Sequence, residues 1–448
     1  MSNQSLEEDK TEMVIPQMEN SAPMVENEQV AVSPPPTHGT EAGDLGQVRP
    51  IPRVSIQAFC ESAPMAASIE QTSQDRRMAK THVKVHMGGI PAAAEFYSQA
   101  PTPNLVIVES LLEASGLVSD LERLAEVCDP GSKVVVIGHH NDIQLYRELI
   151  SKGVSEYLVA PVSMADIMKV VSELFVNPDS EPLGQTYAFI GAKGGVGSST
   201  IAHNVAWAIS SEFATDSVIA DLDLAFGTAN INFDQDPAQG IAEAVFSADR
   251  IDDIFLDRLL AKCADHLSLL AAPSMLDRTY DFSPNDFNQM IEVAQRSIPC
   301  VVLDVPHTWT GWTKQILSAA DHVIITAVPD LANLRNCKNI IDTLKELRPN
   351  DNAPQIILNQ VNMPKRPEIS VNDFVDPLEI DPIAVIPFDA ALFGGASNNG
   401  QMIVEADAKH ETAALISTIA QVLTGRSETK TKSGGKSVSL LGKLLGKK

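Results

Sequence analysis

Aromatic residues make up only 5% of the 448 residues, cysteine occurs five times, and positive charge is scarce. The cysteines, Cys60, Cys128, Cys263, Cys300 and Cys337, are scattered with no C-x-x-C pair and no histidine at metal spacing. That argues against a disulfide framework or a zinc site and suits a reducing compartment. Nowhere do about 18 apolar residues run uninterrupted, so no membrane-spanning helix is expected. The opening Met-Ser-Asn-Gln-Ser-Leu-Glu-Glu-Asp has no basic stretch followed by an apolar one, and a cytoplasmic location is expected. Lys and Arg number 33 against 58 Asp and Glu, a net charge of −25. Such a chain is poorly suited to coating DNA phosphate. What is abundant is hydrophobic content, 44% of residues, enough for two or three globular domains.

Composition and periodicity divide the chain into five segments. Residues 1–80 are rich in Glu, Gln, Ser, Pro and Met, with Pro34-Pro35-Pro36 among them, and read as a disordered acidic arm. Residues 81–176 alternate short β-rich runs (81–87, 105–109, 133–138, 157–159) with helical stretches, the pattern of a small doubly wound parallel sheet. A linker covers 177–185. Residues 186–424 form a longer α/β alternation with strands expected at 187–190, 218–221, 267–271, 300–304, 322–326, 355–358 and 383–386. These strands are continuous apolar runs, as expected where both faces of a parallel sheet are covered. The fold class is therefore α/β in both domains. The last segment, 425–448, carries Arg426 and six lysines against the single Glu428.

The strand at 187–190 runs into Gly191-Ala192-Lys193-Gly194-Gly195-Val196-Gly197-Ser198-Ser199-Thr200 and then a helical stretch. Strand, glycine loop and helix in this order let backbone amides and the helix N-terminus face a polyphosphate. Against the pattern G-x-x-x-x-G-K-[ST], Ser198 stands where the lysine belongs and Ala192 where the first glycine belongs. Taken alone, the loop is also compatible with a purely structural glycine turn. Ser199 is placed to ligate Mg²⁺.

The loop, with Lys193 before Gly194-Gly195, resembles the deviant Walker A loop of the MinD/ParA ATPases. Asp221-Leu222-Asp223 resembles that group's switch I, 301–306 its Walker B strand, and Asn359 and 386–389 also stand at familiar places. Loop and upstream domain together look like the CpaE/TadZ group, proteins that position and assemble Tad (Flp, type IVc) pili at the cell pole. The resemblance implies ATP and Mg²⁺ as cofactors. Gly194, Gly195, Val196, Gly197 and Ser198 would form the phosphate cradle, and Thr200 would contact the α-phosphate. Ser199, Asp304 and Asp221 would form the metal site, Asp304 acting through water. Asp223 would position the attacking water, Asn359 with the backbone near Pro387 would read adenine, and Lys193 would reach into a partner's site across a homodimer. Without a lysine at 198, hydrolysis is expected to be weak or absent.

The domain at 81–176 resembles a response-regulator receiver in size and element order. Glu109 replaces the phospho-accepting aspartate, Ala160-Pro161 replaces Lys-Pro, and the first strand, placed at 81–87, ends in Met87-Gly88-Gly89 without an acidic pair. A constitutive docking or dimerisation module is expected. His82, His86, His139 and His140 are expected to face solvent. In the tail, Leu440, Leu441, Leu444 and Leu445 form one helical stripe flanked by Lys443 and Lys447, the pattern of a short helix lying on anionic lipid, with a solvated tail or a partner-docking helix as the alternative. Together with the resemblance to the CpaE/TadZ group, this implies a peripheral inner-membrane location at the pole. The partners that the resemblance implies are a second copy, the pilus secretion ATPase, the inner-membrane platform or polar landmark proteins, and nucleic acid is not expected. The rival reading is a ParA-like DNA- or cargo-segregation ATPase.

Overall fold

The computed structural model describes residues 51–176, 183–224, 226–247, 250–273 and 280–426. The first sheet has five parallel strands: β1 (Ser55–Cys60), β2 (His82–Met87), β3 (Leu105–Ser110), β4 (Lys133–Gly138) and β5 (Glu156–Val159). Their order is β2-β1-β3-β4-β5. Side chains on successive strand residues point to opposite faces. Ile56, Ala58, Leu105 and Ile107 accordingly enter one core, and Phe59, Val106 and Val108 the other.

The structure moves the start of this domain. The first strand is β1, inside the segment expected to be a disordered arm, and the run at 81–87 is the second strand, on the sheet edge. Ile51, Val54, Met65, Ile69 and Met78 are buried with it. β1 is six residues long and leads into the helix Ala63–Ser73, whose exposed polar side chains share the composition of the arm. A compositional boundary therefore lies later than the structural one. The strand end beside Glu109 is consequently Cys60-Glu61-Ser62, which does carry one acidic residue, and not Met87-Gly88-Gly89.

The second sheet has eight strands: β6 (Gln185–Gly191), β7 (Ser217–Asp221), β8 (Ala261–Ala264), β9 (Leu267–Leu270), β10 (Cys300–Val305), β11 (His322–Ala327), β12 (Gln355–Val361) and β13 (Pro382–Pro387). Their order is β13-β12-β11-β6-β10-β7-β9-β8, all parallel except the pairing of β8 with β9. All seven expected strands are present. β8, unforeseen, is a four-residue edge strand with no buried residue to mark it. The chain leaves β6 toward β7 and later crosses back to β11, so the end of β6 is a topological switch point, where ligands bind in such sheets.

A buried ionic network joins the two sheets. Arg77 Nη2 lies 2.6 Å and Arg76 Nε 2.8 Å from opposite oxygens of Asp351, which also accepts from Arg348 Nε at 3.1 Å. Arg77 is fixed by Asp75 at 3.0 Å, and Asn350 donates to Asp75 at 3.1 Å. Burial would raise the Asp351 carboxyl, but Arg76, Arg348 and Arg77 hold it below its ordinary value. Its stabilising contribution is therefore complete above the ordinary carboxylate value and lost as pH falls below it. Asp351→Ala removes the carboxylate that three buried guanidinium groups share and is expected to cost roughly 3–5 kcal/mol at pH 7. The check is the urea midpoint, and a wild-type midpoint would show that the network contributes nothing.

Candidate nucleotide-binding site

The glycine loop follows β6, and the helix Ser198–Phe213 follows the loop. Gly195 and Gly197 have φ of +80° and +88°, a left-handed backbone that glycine adopts without strain. A Cβ on Gly195 would meet open space, whereas one on Gly197 would sit 2.6 Å from Asn359 Nδ2.

Four loop carbonyls are tied down by side chains from other elements. His307 Nδ1 lies 2.8 Å from the Gly191 carbonyl oxygen, and Asn336, on the helix Leu331–Leu347, donates to the Ala192 carbonyl at 2.8 Å. Gln360 donates to Gly195 at 3.0 Å and Asn359 to Val196 at 2.8 Å, both from β12. The Ala192 amide donates to Thr326 at 2.8 Å. With these carbonyls committed, the loop amides remain for an anion.

The acidic residues gather at the start of the helix. Ser199 Oγ donates to Asp304 Oδ1 at 3.1 Å. Asp304 ends β10 beside Asp221 on β7, and both are buried. Asp221 accepts from the Asp223 amide at 3.2 Å and the Ala229 amide at 3.1 Å. Burial pushes the Asp221 carboxyl up to about 7, the Asp304 charge adds to this, and His203 and the two amides oppose it. A bound divalent cation would relieve the crowded carboxylates.

The residues fit a Mg²⁺-nucleotide. Ser198 Oγ is buried with no hydrogen-bond partner, and added Cβ atoms on Gly194 and Gly195 would meet open space. Ser199 is already against Asp304. Among the described residues no three His, Cys, Asp or Glu side chains are grouped to hold a metal alone, so a cation here would need further ligands such as phosphate oxygens or water.

The remaining expected residues divide by location. Asn359 and Pro387 lie at adjoining ends of the paired strands β12 and β13, but the Asn359 amide nitrogen is used to hold the loop. Asp223 is half-buried and accepts from the Phe226 amide at 3.0 Å. Lys193 is exposed, close enough to help hold the Asp330 carboxyl below its ordinary value against a larger burial effect. Thr200 follows directly in the first helical turn. Leu440, Leu441, Lys443, Leu444, Leu445 and Lys447 lie outside the described residues.

Sequence reading missed His203 and Asn232. The only available signal was a histidine in a helix rich in apolar residues, among them Ile201, Ala202, Val205 and Ala206. In the first sheet, Glu109 is 1% exposed and engaged at both oxygens. It accepts from the Glu61 and Ser62 amides at 2.9 and 2.8 Å and from Ser62 Oγ at 2.7 Å. His139 and His140 are exposed, but His86 corrects the expectation of solvent-facing histidines. It is half-buried and stacks on Phe59, with ring centroids 4.8 Å apart, because the edge strand packs against the helix Gly89–Tyr97.

The two loop glycines give an ordered prediction. Gly195→Ala is expected to cost about 1 kcal/mol for its positive φ alone, and Gly197→Ala more, because its Cβ also displaces Asn359. Thermal unfolding midpoints of both variants check this, and equal losses would contradict it.

An AAA domain family model matches residues 184–357. The septum site-determining protein MinD of Bacillus subtilis is 24% identical over 259 residues, 55% of this chain and 91% of that protein. The pilus assembly protein CpaE of Caulobacter crescentus is 47% identical, covering 29% of this chain and 98% of the solved chain, with a TM-score of 0.28. A CpaE2 pilus assembly protein of Sinorhizobium meliloti is 42% identical, covering 26% of this chain and 97% of its own, with a TM-score of 0.26. Sequence identity at that level over almost the whole of two CpaE chains places this protein in the CpaE family, within the MinD/ParA superfamily.

Proposed function

We propose that this protein is a nucleotide-dependent localisation and assembly factor for Tad (Flp) pili that binds Mg²⁺-ATP as a dimer and hydrolyses it weakly or not at all. The observation that carries this reading is Ser198, a hydroxyl in the lysine position of the glycine loop, its oxygen buried and without a partner. Nucleotide affinity would rest on loop amides, the Ser199 hydroxyl and the cation. The transition-state charge would lack its fixed lysine. The five-stranded domain would serve as a constitutive docking or dimerisation module, since Glu109 has no free oxygen to accept a phosphoryl group. Bound Mg²⁺ would neutralise the phosphates, while Asp304 and Ser199 hold their own orientation and Asp223 takes a position to orient water.

Ser198→Lys is expected to raise phosphate release by as much as roughly 10²-fold, the scale lost when one transition-state donor is removed. A variant that binds ATP as well as wild type yet releases phosphate no faster would refute the missing lysine as the cause of slow hydrolysis. No helix among the described residues is long and apolar enough to cross a membrane, so membrane attachment would fall to residues 436–448. Deleting them is expected to abolish co-sedimentation with anionic liposomes, and the full chain should not shift DNA in a gel. DNA binding without liposome binding would instead favour the segregation-ATPase reading.

A further inference from the structure

We propose that His203 is a positioning residue of the phosphate site, linking Asp304 to the segment that follows Asp223; this rests on the nucleotide reading above. The ring is 1% exposed within the helix that follows the loop, one turn after Ser199 and one turn before Trp207. An aliphatic side chain would fill that place at no polar cost, whereas a buried imidazole needs partners for two nitrogens. Both nitrogens face residues of the site. Nδ1 lies 3.0 Å from Asn232 Nδ2. An amide nitrogen only donates, so Nδ1 accepts and the ring hydrogen sits on Nε2. Nε2 lies 3.2 Å from Asp304 Oδ2, a close polar contact short of hydrogen-bond alignment. The other oxygen of Asp304 is taken by Ser199 Oγ, so ring and hydroxyl together fix the carboxylate.

Asn232 ends the short helix Ala229–Asn232, whose first amide donates to Asp221. Both acidic residues therefore meet the same helical turn, Asp221 by a hydrogen bond and Asp304 through its close contact with His203. Phe233 packs next to His203, with ring centroids 5.5 Å apart, and stacks on Trp207 at 6.4 Å. Occupancy at Asp304 is thereby felt at 229–233 and is readable at Trp207.

The test uses the full chain carrying Trp309→Phe and Trp312→Phe, which leaves Trp207 as its only tryptophan. Mg²⁺-ATP is expected to shift Trp207 emission. In His203→Leu that shift should vanish, and the gain in ATP affinity from added Mg²⁺ should fall about tenfold, the scale of one contact to a charged group. Affinity without Mg²⁺ should be unchanged. His203→Gln, which keeps a donor toward Asp304, should retain most of the Mg²⁺ gain. A folded His203→Leu protein with both responses intact overturns the proposal. Nitrogen-15 spectra of labelled histidine give a second reading in the nucleotide-free protein. The His203 ring should be the Nε2–H tautomer, with its Nε2 resonance moved by Asp304→Asn. An Nδ1–H tautomer, or no response to Asp304→Asn, overturns the proposal even if His203→Leu fails to fold. If wild type binds no ATP, the nucleotide reading fails, and the ring spectra alone decide the link between His203 and Asp304.

Discussion

The phosphate loop depends on the commitment of its carbonyls. Backbone that turns through two left-handed glycines has no ladder to hold it. Its shape comes from His307, Asn336, Asn359 and Gln360, which pin four carbonyls from β12, the segment after β10 and the helix Leu331–Leu347. Each donor comes from a different distance along the sequence, so the loop exists only when the sheet is assembled. The same geometry explains Gly197, whose missing Cβ is the space Asn359 occupies.

Around this loop the charge balance is unusual. Two buried carboxylates, Asp221 and Asp304, face a loop in which Ser198 stands in place of the lysine that would offset them. Two effects act on Asp221: burial and the Asp304 charge raise its proton affinity, and His203 with two amides moderates it. The site is thus short of positive charge, a condition that favours recruiting a divalent cation together with its nucleotide. A polar hydroxyl left unpaired in such a place is costly unless a ligand meets it. The absence of the lysine, expected to slow hydrolysis, is therefore compatible with the metal-dependent nucleotide binding proposed above.

Much of this was legible in the sequence because it is local. Unbroken apolar runs located seven strands of the large sheet, and the spacing of glycine and hydroxyl residues located the loop. β1 escaped because a six-residue strand lies beside polar residues that resemble the arm before it, and β8 escaped because four residues, Ala261-Lys262-Cys263-Ala264, carry no β-branched or aromatic side chain. The carbonyl anchors and the His203 contacts were not legible, since they join residues 29 to 165 positions apart whose meeting depends on strand order. A histidine on a buried helix face was visible, but its partners were not.

The strand order also explains how the two sheets are joined. Arg76 bridges Asp351 and Asp321, and the second oxygen of Asp321 accepts from the Thr186 amide and hydroxyl at 3.0 and 2.9 Å. Thr186 is the second residue of β6, the strand that leads into the phosphate loop. A buried ionic contact of this kind tolerates little sliding, because any displacement leaves a desolvated charge without its partner. The receiver-like domain is therefore fixed to the base of the central strand and not hung on a hinge. If the five-stranded domain is the docking module proposed above, these ion pairs would hold a bound partner in a set orientation relative to the phosphate loop.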